Sequence, residues 1–510
     1  MRAFLDLLLP CLPLPVMLYN MPHVFADGPT DLGVRHDQGW ARGPRALRTR
    51  HVATAYRVPP RGGRRAAAHA FGNFPSRCLP MNPLPILIVA MVAPLCQAQE
   101  RTLTISPHGH QIHNRQVFSP DGRFIYYDSR NDDMQLATAT FIGRVEIATG
   151  KEEILYRVPT PTASGPGVGA VTCNPVTGRL AFIHGLANAS ATQPYAAHRR
   201  CGGSLTPDGQ LVHLDARDVT PPFTAGALSG GTHAFHWSPD GSRISFTYND
   251  ALIPIRSAPD DLRTVGIMMP GRQVTVTDPA PDLEFSGDAF ATLVAPVTAT
   301  PKPGSDAISR AFDEAWLDAT HLAFQGLVRS ADGKDFTELF LATLPAKPGA
   351  ARPQANAPPA PPSGITIRRL THTAARKFPG IQGPRHWVRP APDRSVIAFL
   401  AKDDHGIVQI FAVSPDGGPL QQLSQLAQAV ETPFDWSPDS KFLACSAGGR
   451  IRLIEVATGS DKALTEIRPA GEEPRYAVTF SPDGHLLSFN RLLPHPEGGT
   501  FLQIQVLVPR

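Results

Sequence analysis

The stretch that decides the fold is FSPDGRFIYYD, residues Phe118–Asp128, in which a short turn joins two apolar segments. Proline presets the backbone of the first central turn position, aspartate tolerates the next, and glycine takes the positive φ that leads back into a strand. In a second copy, the residues after the turn, Arg243–Thr247, alternate between polar and apolar side chains. This alternation is typical of a half-buried strand, so the phrase predicts a β-hairpin.

The same phrase occurs seven times along the chain. Three further clear copies and three degenerate copies stand at His236–Asp250, Asp435–Ser446, Thr479–Asn490, Val171–Gly185, Ala315–Gly326 and Val388–Asp404. Several copies are followed by a third apolar segment that ends in Ala-Thr-Gly and by a fourth that closes with Leu-Thr or Leu-Ser. Four antiparallel strands per repeat of about 40 residues indicate a propeller blade. We therefore predict an all-β chain folded as a single seven-bladed β-propeller.

The ring is expected to close through the first strand of the array. Arg101–Ile105 (RTLTI) resembles the fourth strand of a blade, yet no blade precedes it. We predict that this segment pairs with the last blade, in which Phe501–Leu507 is the third strand. Joining both ends of the array in one blade removes an exposed sheet edge.

The repeats predict blades at about 113–158, 168–218, from 233, 312–344, 386–424, 431–465 and 475–507. Within this array we interpret Ala196–Asp218 as an insertion with its own turn and Ala251–Gly287 as an irregular excursion. Residues 345–364 are rich in proline and alanine, which predicts an exposed loop inside the propeller domain, residues 99–510, rather than a domain boundary.

The residues before the array differ in composition. Residues 1–80 contain 11 Arg, 4 Asp and neither Lys nor Glu, which predicts a basic, disordered leader. Residues 81–98 (MNPLPILIVAMVAPLCQA) are typical of a signal peptide. We favour a translation start at Met81 and a periplasmic or secreted protein. Two alternatives stay open: Met1–Met21 is the signal and a disordered spacer follows, or the protein is cytoplasmic with a mis-called start.

Composition and missing motifs exclude several function classes. The chain carries a formal net charge of +4, but the first 80 residues carry +7, so the array itself is acidic and no nucleic-acid partner is predicted. There is no G-x-S-x-G and no G-x-x-x-x-G-K-[ST] sequence. The array holds three cysteines without a C-x-x-C pair, which favours neither disulfides nor a zinc site. We expect a monomer without an integral membrane segment in the mature chain.

The repeat phrase, followed by Leu-Thr, resembles the TolB-type, WD40-like propeller repeat over residues 101–510. Segments outside the repeat resemble the YidR-type family of propellers: His198–Arg200, Leu214–His233, Ser245–Asp250, Thr300–Trp316 and Pro384–Pro390. The resemblance implies a propeller, but it implies no activity because the function of that family is unassigned.

Candidate site residues collect at the mouth opposite the Ser-Pro-Asp-Gly turns. Residues just before each first strand and just after each second strand should meet there. Imidazole is a common transition-metal ligand, so His113, His233, His236 and His386 form a candidate divalent transition-metal site. The alternative is that these are separate loop histidines. No other cofactor is predicted.

Two further groups at the mouth are candidates for ligand binding. His198, Arg199 and Arg200 could bind an anion, since arginine offers paired donors to carboxylate or phosphate, or they could form a solvated basic turn. Arg385, His386 and Trp387 could stack on and hydrogen-bond a sugar or peptide, unless Trp387 packs between blades instead. Asn249 and Asp250, which follow a second strand, are further ligand-binding candidates at the mouth.

Two functions remain open from the sequence. The first is an exported binding or scaffold module that takes a protein or carbohydrate ligand at its mouth. The alternative is a metal-dependent lyase or hydrolase of acidic oligosaccharides, which a resemblance to the blade motif and histidine placement of oligogalacturonate lyases implies. In that chemistry a metal neutralises a uronate carboxylate and a base removes the adjacent proton. No catalytic residue is predicted, and the fold alone does not choose between the two.

Overall fold

The computed structural model of the chain describes residues 99–253, 261–354 and 357–509. The predictions made for the leader, the start at Met81 and the signal peptide fall on residues 1–98 and lie outside the described residues. In the part that is described, no helix is long and apolar enough to cross a membrane.

The described chain forms seven antiparallel sheets arranged as the blades of a propeller, as predicted. Strand β1 (Arg101–Thr102) belongs to the last blade. Blades 1 to 3 contain β2 (Phe124–Asp128), β3 (Phe141–Glu146), β4 (Glu152–Arg157); β5 (Val168–Cys173), β6 (Leu180–Gly185), β7 (Arg200–Leu205), β8 (Leu211–His213); β9 (Gly230–Trp237), β10 (Ile244–Asp250), β11 (Thr264–Val274) and β12 (Gly287–Leu293).

Blades 4 to 7 follow the same order from the innermost strand outwards. They contain β13 (Ile308–Trp316), β14 (His321–Arg329), β15 (Asp335–Thr343), β16 (Thr366–Arg369); β17 (Arg389–Pro390), β18 (Ile397–Lys402), β19 (Val408–Val413), β20 (Gln421–Gln422); β21 (Asp435–Trp436), β22 (Phe442–Ala447), β23 (Arg450–Glu455), β24 (Asp461–Ala463); β25 (Arg475–Phe480), β26 (Leu487–Pro494) and β27 (Thr500–Leu507). Two short 3₁₀ helices, Asp133–Thr138 and Ala197–Arg199, precede β3 and β7.

Blade 1 is the one sheet with three regular strands. Its innermost position is occupied by a segment that pairs with β2 through two isolated bridges, Gln111 with Asp128 and Phe118 with Ile125. The blade therefore keeps four layers of chain, although its inner strand is irregular.

The ring closes as the sequence predicts. Strand β1 pairs antiparallel with β27, with Arg101 opposite Val506 and Thr102 opposite Gln505. The backbone N–H of Leu103 continues the ladder by donating to the carbonyl oxygen of Ile504 at 2.8 Å. The first described strand thus becomes the outer strand of blade 7, and that blade has no unpaired third strand.

The hydrophobic core is divided into clusters that lie between neighbouring blades. Each pair of consecutive blades shares one cluster, including the pair formed by blades 7 and 1. In the blade 7–blade 1 cluster, Ile504 and Val506 pack with Ile125, Val145 and Leu103. Because burial of apolar area is the main favourable term in folding, these interfaces hold the ring closed.

The repeated turn has the geometry expected from its sequence. Ser119 Oγ donates to Asp121 Oδ1 at 2.5 Å and accepts the backbone N–H of Phe124 at 2.9 Å. Gly122 has a φ of 68°, in the left-handed region that glycine reaches without strain. Six turn prolines line one cavity at the end of the ring away from the mouth: Pro120, Pro175, Pro239, Pro392, Pro438 and Pro482.

Two segments inside the predicted blades differ from their interpretation. Ala196–Asp218 is no insertion: it contains β7 and β8, the outer strands of blade 2. The excursion Ala251–Gly287 likewise contains the 11-residue strand β11. Strand β7 was not predicted because it carries Gly202 and Gly203 at positions where a strand is expected to have apolar side chains. A Cβ on Gly203 would lie 2.6 Å from the ring of Phe182 on β6. Any larger residue at this position would therefore clash with that ring.

The segment between β15 and β16, which includes residues 345–364, lies between two strands of blade 4. It is less exposed than its composition suggests. Arg243 Nη2 in blade 3 donates to the carbonyl oxygen of Ala346 at 2.9 Å, and Arg272 Nη1 donates to that of Pro348 at 3.3 Å. Blade 3 therefore anchors the described part of this loop.

Candidate functional site

A cavity of about 520 Å³ lies at the mouth of the propeller, opposite the turn prolines. Its wall is built by residues that enter the innermost strands and by loops of blades 1 and 2. The polar residues that line it are Gln111, His113, Asn114, Arg130, Asp133, Tyr195, Arg200, His233, Arg385, Glu431, Thr432, Arg475 and Tyr476, together with Trp387. A volume of this size is within the range of small-molecule sites.

A layer of buried side chains separates the mouth from the opposite cavity. Arg389 Nη2 donates to Asn114 Oδ1 at 2.7 Å, and Asn114 Nδ2 donates to His113 Nε2 at 2.8 Å. The rings of His113 and His236 stack with centroids 5.3 Å apart, and Trp387 meets both edge-on. His113 and Asn114 line the mouth, whereas His236 lines the opposite cavity, so this layer forms the floor of the mouth.

Several donors in the mouth wall lack a hydrogen-bond partner. The buried atoms Arg200 Nε, Arg475 Nε, Trp387 Nε1 and the ring atom His233 Nδ1 make no hydrogen bond. His233 and Trp387 are only 4% and 8% exposed. A buried donor without a partner costs about 1–3 kcal/mol, so these atoms mark places in the mouth wall where the protein's own hydrogen bonding is incomplete.

The two acids of the mouth are already hydrogen-bonded by the protein. Asp133 accepts from Arg130 Nη1 at 3.0 Å and from Gln111 Nε2 at 2.9 Å. Burial alone would raise the pKa of Asp133, but Arg130 and Gln111 outweigh it and lower the pKa. Glu431 accepts from Ser446 Oγ at 2.9 Å and from two backbone N–H groups. The acids are thus engaged, whereas the mouth-lining atoms without a partner include donors on Arg200, Arg475 and Trp387 and the acceptor Gln111 Oε1.

Positive charge and burial keep the mouth histidines neutral. Burial lowers the pKa of His233 well below its usual value, and the charges of Arg200, Arg263 and Arg385 lower it further. Burial likewise lowers the pKa of His113 to about 3. A neutral His113 agrees with its Nε2 accepting a hydrogen bond from the Asn114 amide.

The four histidines predicted to share a metal do not converge. Among the described residues, no three of them bring ligand atoms within 4.8 Å of one another. His386 differs most from the prediction: Nδ1 donates to the carbonyl oxygen of Pro384 at 2.9 Å, and Nε2 accepts the N–H of Leu400 at 2.9 Å. Both nitrogens are therefore occupied. Asn114 Nδ2 lies 2.8 Å from Nε2 of His113 and 3.5 Å from Nε2 of His236.

The predicted ligand-binding residues divide into two groups. Arg200, Arg385 and Trp387 line the mouth. Arg385 stacks over the ring of Trp387 at 4.6 Å and donates to Asp313 Oδ1 at 3.0 Å. Because Arg385 and two imidazoles already pack on Trp387, its indole is part of the wall rather than an open stacking surface.

The other predicted residues serve the local structure and do not line this cavity. Arg199 donates to Asn188, and the carbonyl oxygen of His198 accepts from Arg217 at 3.2 Å. Asn249 donates to Asp261 at 2.9 Å. Asp250 accepts the hydroxyl of Tyr248 at 2.8 Å and the N–H of Leu252 at 2.7 Å, so it organises a turn.

Some residues that line the mouth come from loops rather than from the repeat, and they were not predicted as site residues. Asp133 and Leu136 belong to the 3₁₀ helix between β2 and β3, and Tyr195 precedes β7. The signal for the first was Asp132, whose side chain caps that helix by accepting from the N–H of Met134 at 2.9 Å. No pattern in the sequence pointed to Tyr195.

Comparison with known proteins places this propeller among proteins of unassigned function. The uncharacterized protein YidR of Escherichia coli (strain K12) is 38% identical over 398 residues, which cover 76% of this chain and 94% of YidR. The chain belongs to the YidR family. A family model described as "Protein of unknown function (DUF3748)" matches residues 167–282, which include β7, the floor residue His236 and Arg200 of the mouth.

Two solved structures are similar to this YidR-family chain at low identity. An oligogalacturonate lyase in complex with manganese is 9% identical, covers 81% of this chain and 97% of its own, and has a TM-score of 0.48. TolB from Acinetobacter baumannii is 13% identical, covers 76% of this chain and 81% of its own, and has a TM-score of 0.33. At these values the likeness carries no argument about activity.

Proposed function

We propose that the protein is an exported binding module whose mouth cavity takes a small anionic ligand with carboxylate or phosphate groups. The observation that carries this proposal is the set of unpartnered buried donors on Arg200, Arg475 and Trp387 around one cavity. Export rests on the signal-like sequence of residues 81–98.

The charge balance of the cavity supports an anion rather than a cation. Four arginines line the mouth: Arg130, Arg200, Arg385 and Arg475. Arg130 is held by Asp128 through two hydrogen bonds of 2.7 and 2.8 Å, so its role is to position Asp133. Arg200 and Arg475 keep free donor capacity. Guanidinium groups bind carboxylate and phosphate through paired, charge-assisted hydrogen bonds.

The mouth also supports a small ligand rather than a large protein surface. Its floor is closed by Arg389, Asn114 and His113, so a ligand enters and leaves by one side. A cavity of about 520 Å³ accommodates a molecule of the size of a sugar acid or a phosphorylated metabolite. A carbohydrate ligand, expected from the sequence, agrees with this proposal when it carries acidic groups.

The metal-dependent lyase alternative is not favoured by a specific observation in the mouth. His386 has no free nitrogen, and the described residues bring no three of the predicted histidines together.

The proposal is tested with a panel of matched probes on the full propeller. Digalacturonate, inorganic phosphate and glucose 6-phosphate are compared with lactose and glucose by isothermal titration calorimetry at 50 and 500 mM NaCl. We expect binding of at least one anion, at least tenfold weaker at high salt, and no binding of the neutral sugars. Equal binding of neutral and anionic probes, or no binding of any anion, contradicts the proposal.

A further inference from the structure

A second polar cluster lies outside the mouth, at the place where the ring closes. His108 and His110 are in the segment that leads from β1 of blade 7 into blade 1, and Glu152 is the first residue of β4 in blade 1. Ligand atoms of these three residues lie within 4.8 Å of one another, the one such group of histidine, cysteine and acidic residues in the described parts of the chain.

The distances in this cluster fit a single metal ion. Nε2 of His110 lies 3.0 Å and Nε2 of His108 lies 3.7 Å from Oε2 of Glu152. Ligands of a tetrahedral zinc ion, with zinc–ligand bonds of about 2.0–2.1 Å, are separated by about 3.3 Å. The two observed separations bracket this value, so a small adjustment of side chains seats an ion.

The outer ring nitrogens are held by backbone carbonyls. Nδ1 of His110 lies 3.2 Å from the carbonyl oxygen of Leu502, and Nδ1 of His108 lies 3.2 Å from that of Gly109. A carbonyl only accepts, so each Nδ1 is protonated and donates. A neutral ring of this tautomer carries its lone pair on Nε2, which is the arrangement that metal-bound histidines adopt.

This tautomer creates a conflict that a cation resolves. The lone pair on Nε2 of a neutral His110 faces the carboxylate of Glu152 at 3.0 Å, so two acceptors oppose each other. His110 is fully buried, and the hydroxyl of the adjoining Tyr127, whose ring lies 4.7 Å away, has no hydrogen-bond partner. Either a proton or a metal ion must lie between Nε2 and the carboxylate.

We propose that His108, His110 and Glu152 bind one divalent transition-metal ion of the zinc type, which fastens the ring-closing segment to blade 1. Two imidazoles and one carboxylate suit zinc and its neighbours rather than calcium or magnesium, which prefer all-oxygen sites. His108 and Glu152 are 31% and 17% exposed, so the ion has a path from solvent and room for water as its fourth ligand.

The position of the site explains what the ion would do. Through the backbone bond of His110 to Leu502, the histidine segment is tied to β27 of blade 7. Glu152 belongs to the sheet of blade 1. An ion that bridges them adds a cross-link at the junction where β1, only two residues long, completes the ring. Binding to the native state alone raises its stability by mass action.

The test uses the full chain, free of any polyhistidine tag and stripped with chelator. We expect one equivalent of Zn²⁺ to bind and to raise the thermal midpoint, and one equivalent of Co²⁺ to give the visible absorption of a four-coordinate site. His108→Ala and Glu152→Gln should each weaken Zn²⁺ binding at least tenfold and abolish the Co²⁺ band. Both residues are partly exposed, so these variants spare the buried His110.

Matched controls separate this site from other histidines. His321 pairs with Asp318 at 2.9 Å with exposures of 32% and 22%, close to those of His108 and Glu152, so His321→Ala removes a similar pair that lacks a third ligand. His233→Ala removes a histidine of the mouth cavity and so tests whether the metal binds there instead. Both controls should keep the Co²⁺ band. The proposal is overturned if wild type shows neither the band nor the thermal shift, which would leave a protonated His110–Glu152 pair, or if the band survives His108→Ala.

Discussion

Arg389 of blade 5 donates a hydrogen bond to Asn114 of blade 1, with Nη2 and Oδ1 2.7 Å apart. The same nitrogen donates to the carbonyl oxygen of Asn114 at 2.9 Å, and Nε donates to that of Phe434 in the segment leading into blade 6. One fully buried guanidinium thus joins three blades across the centre of the ring. Burial, and then the charge of Arg115, lowers the pKa of Arg389 to about 9, so this charge depends on its hydrogen bonds.

Asn114→Ala should destabilise the propeller by about 2–3 kcal/mol, because it removes an acceptor from a buried charged donor. The measurement is the free energy of unfolding in urea. Asn188→Ala is the matched control: Asn188 accepts from Arg199 on a partly buried loop, and its loss should cost less than about 1 kcal/mol. Equal losses for the two variants would show that Arg389 does not depend on Asn114.

Glu314→Gln should stabilise the protein at alkaline pH. Burial raises the pKa of Glu314 to about 8, and its Oε2 accepts from Thr247 Oγ1 at 3.0 Å. The unfolded chain releases this proton near pH 4.3, whereas the folded chain keeps it until about pH 8. The contribution of Glu314 to wild-type stability is therefore fully present below about pH 4.3. It is lost between pH 4.3 and about 8, by up to about 1.4 kcal/mol per pH unit.

The measurement for Glu314→Gln is the difference in unfolding free energy between variant and wild type at pH 4.5, 6.5 and 8. We expect the difference to grow in favour of the variant as pH rises. The neighbouring acid Asp313 is paired with Arg385 at 3.0 Å, and the substitution leaves both residues of this pair in place. A difference that does not change with pH would contradict the raised pKa.

His386→Gln should reduce the loss of stability in acid. Burial lowers the pKa of His386 to about 4. Its Nε2 accepts the N–H of Leu400, so a proton on Nε2 would break this hydrogen bond. The unfolded chain takes up this proton near pH 6.5. Its contribution is thus present above pH 6.5 and lost between pH 6.5 and about 4, by up to about 1.4 kcal/mol per pH unit.

Glutamine keeps an acceptor for Leu400 but does not titrate. Unfolding free energies of both proteins between pH 4 and 7 give the two slopes, and the slope of the variant should be smaller. The residual slope of the variant belongs to the other buried histidines, such as His113 and His213. Identical slopes would mean that His386 is protonated equally in both states.

Arg394→Gly should stabilise blade 5. Arg394 replaces the glycine of the repeated turn, has a φ of 64° and carries an exposed side chain. Relief of the left-handed strain, less the extra entropy of glycine in the unfolded chain, predicts a gain of about 0.5–1 kcal/mol. The converse control is Gly122→Ala, where φ is 68° and an added Cβ meets no atom within 4 Å, so only backbone strain changes.

The Gly122→Ala variant should lose about 1 kcal/mol in the same urea experiment. If Arg394→Gly and Gly122→Ala shift stability in the same direction, the turn is not governed by the backbone conformation of this position.

The sequence predicted the propeller well because its information is local. Each Ser-Pro-Asp-Gly turn carries its own proline, acid and glycine, and Arg101–Thr102 could be matched to the pattern of a fourth strand. It failed at β7, where Gly202 and Gly203 replace the apolar residues that mark a strand. The reason for Gly203 is the ring of Phe182 on another strand, which no local pattern reveals.

The site was less predictable because its geometry depends on contacts between distant blades. The rule that residues before the first strands face the mouth named His113, His233 and Arg385, and all three line the cavity. This rule could not show that both ring nitrogens of His386 are hydrogen-bonded to backbone groups, or that the Arg385 guanidinium stacks over the ring of Trp387. His108 and Glu152 are 44 residues apart and meet only because the ring closes between them.

The measurement that tests the central claim most directly is the affinity of wild type, Arg200→Gln and Arg475→Gln for the tightest anion of the probe panel. Arg123→Gln is the control, because it removes the same charge from an exposed turn on the far side of the ring. We predict affinities at least tenfold weaker for Arg200→Gln and Arg475→Gln and unchanged for Arg123→Gln. Equal affinities for all four proteins would contradict an anion site in the mouth.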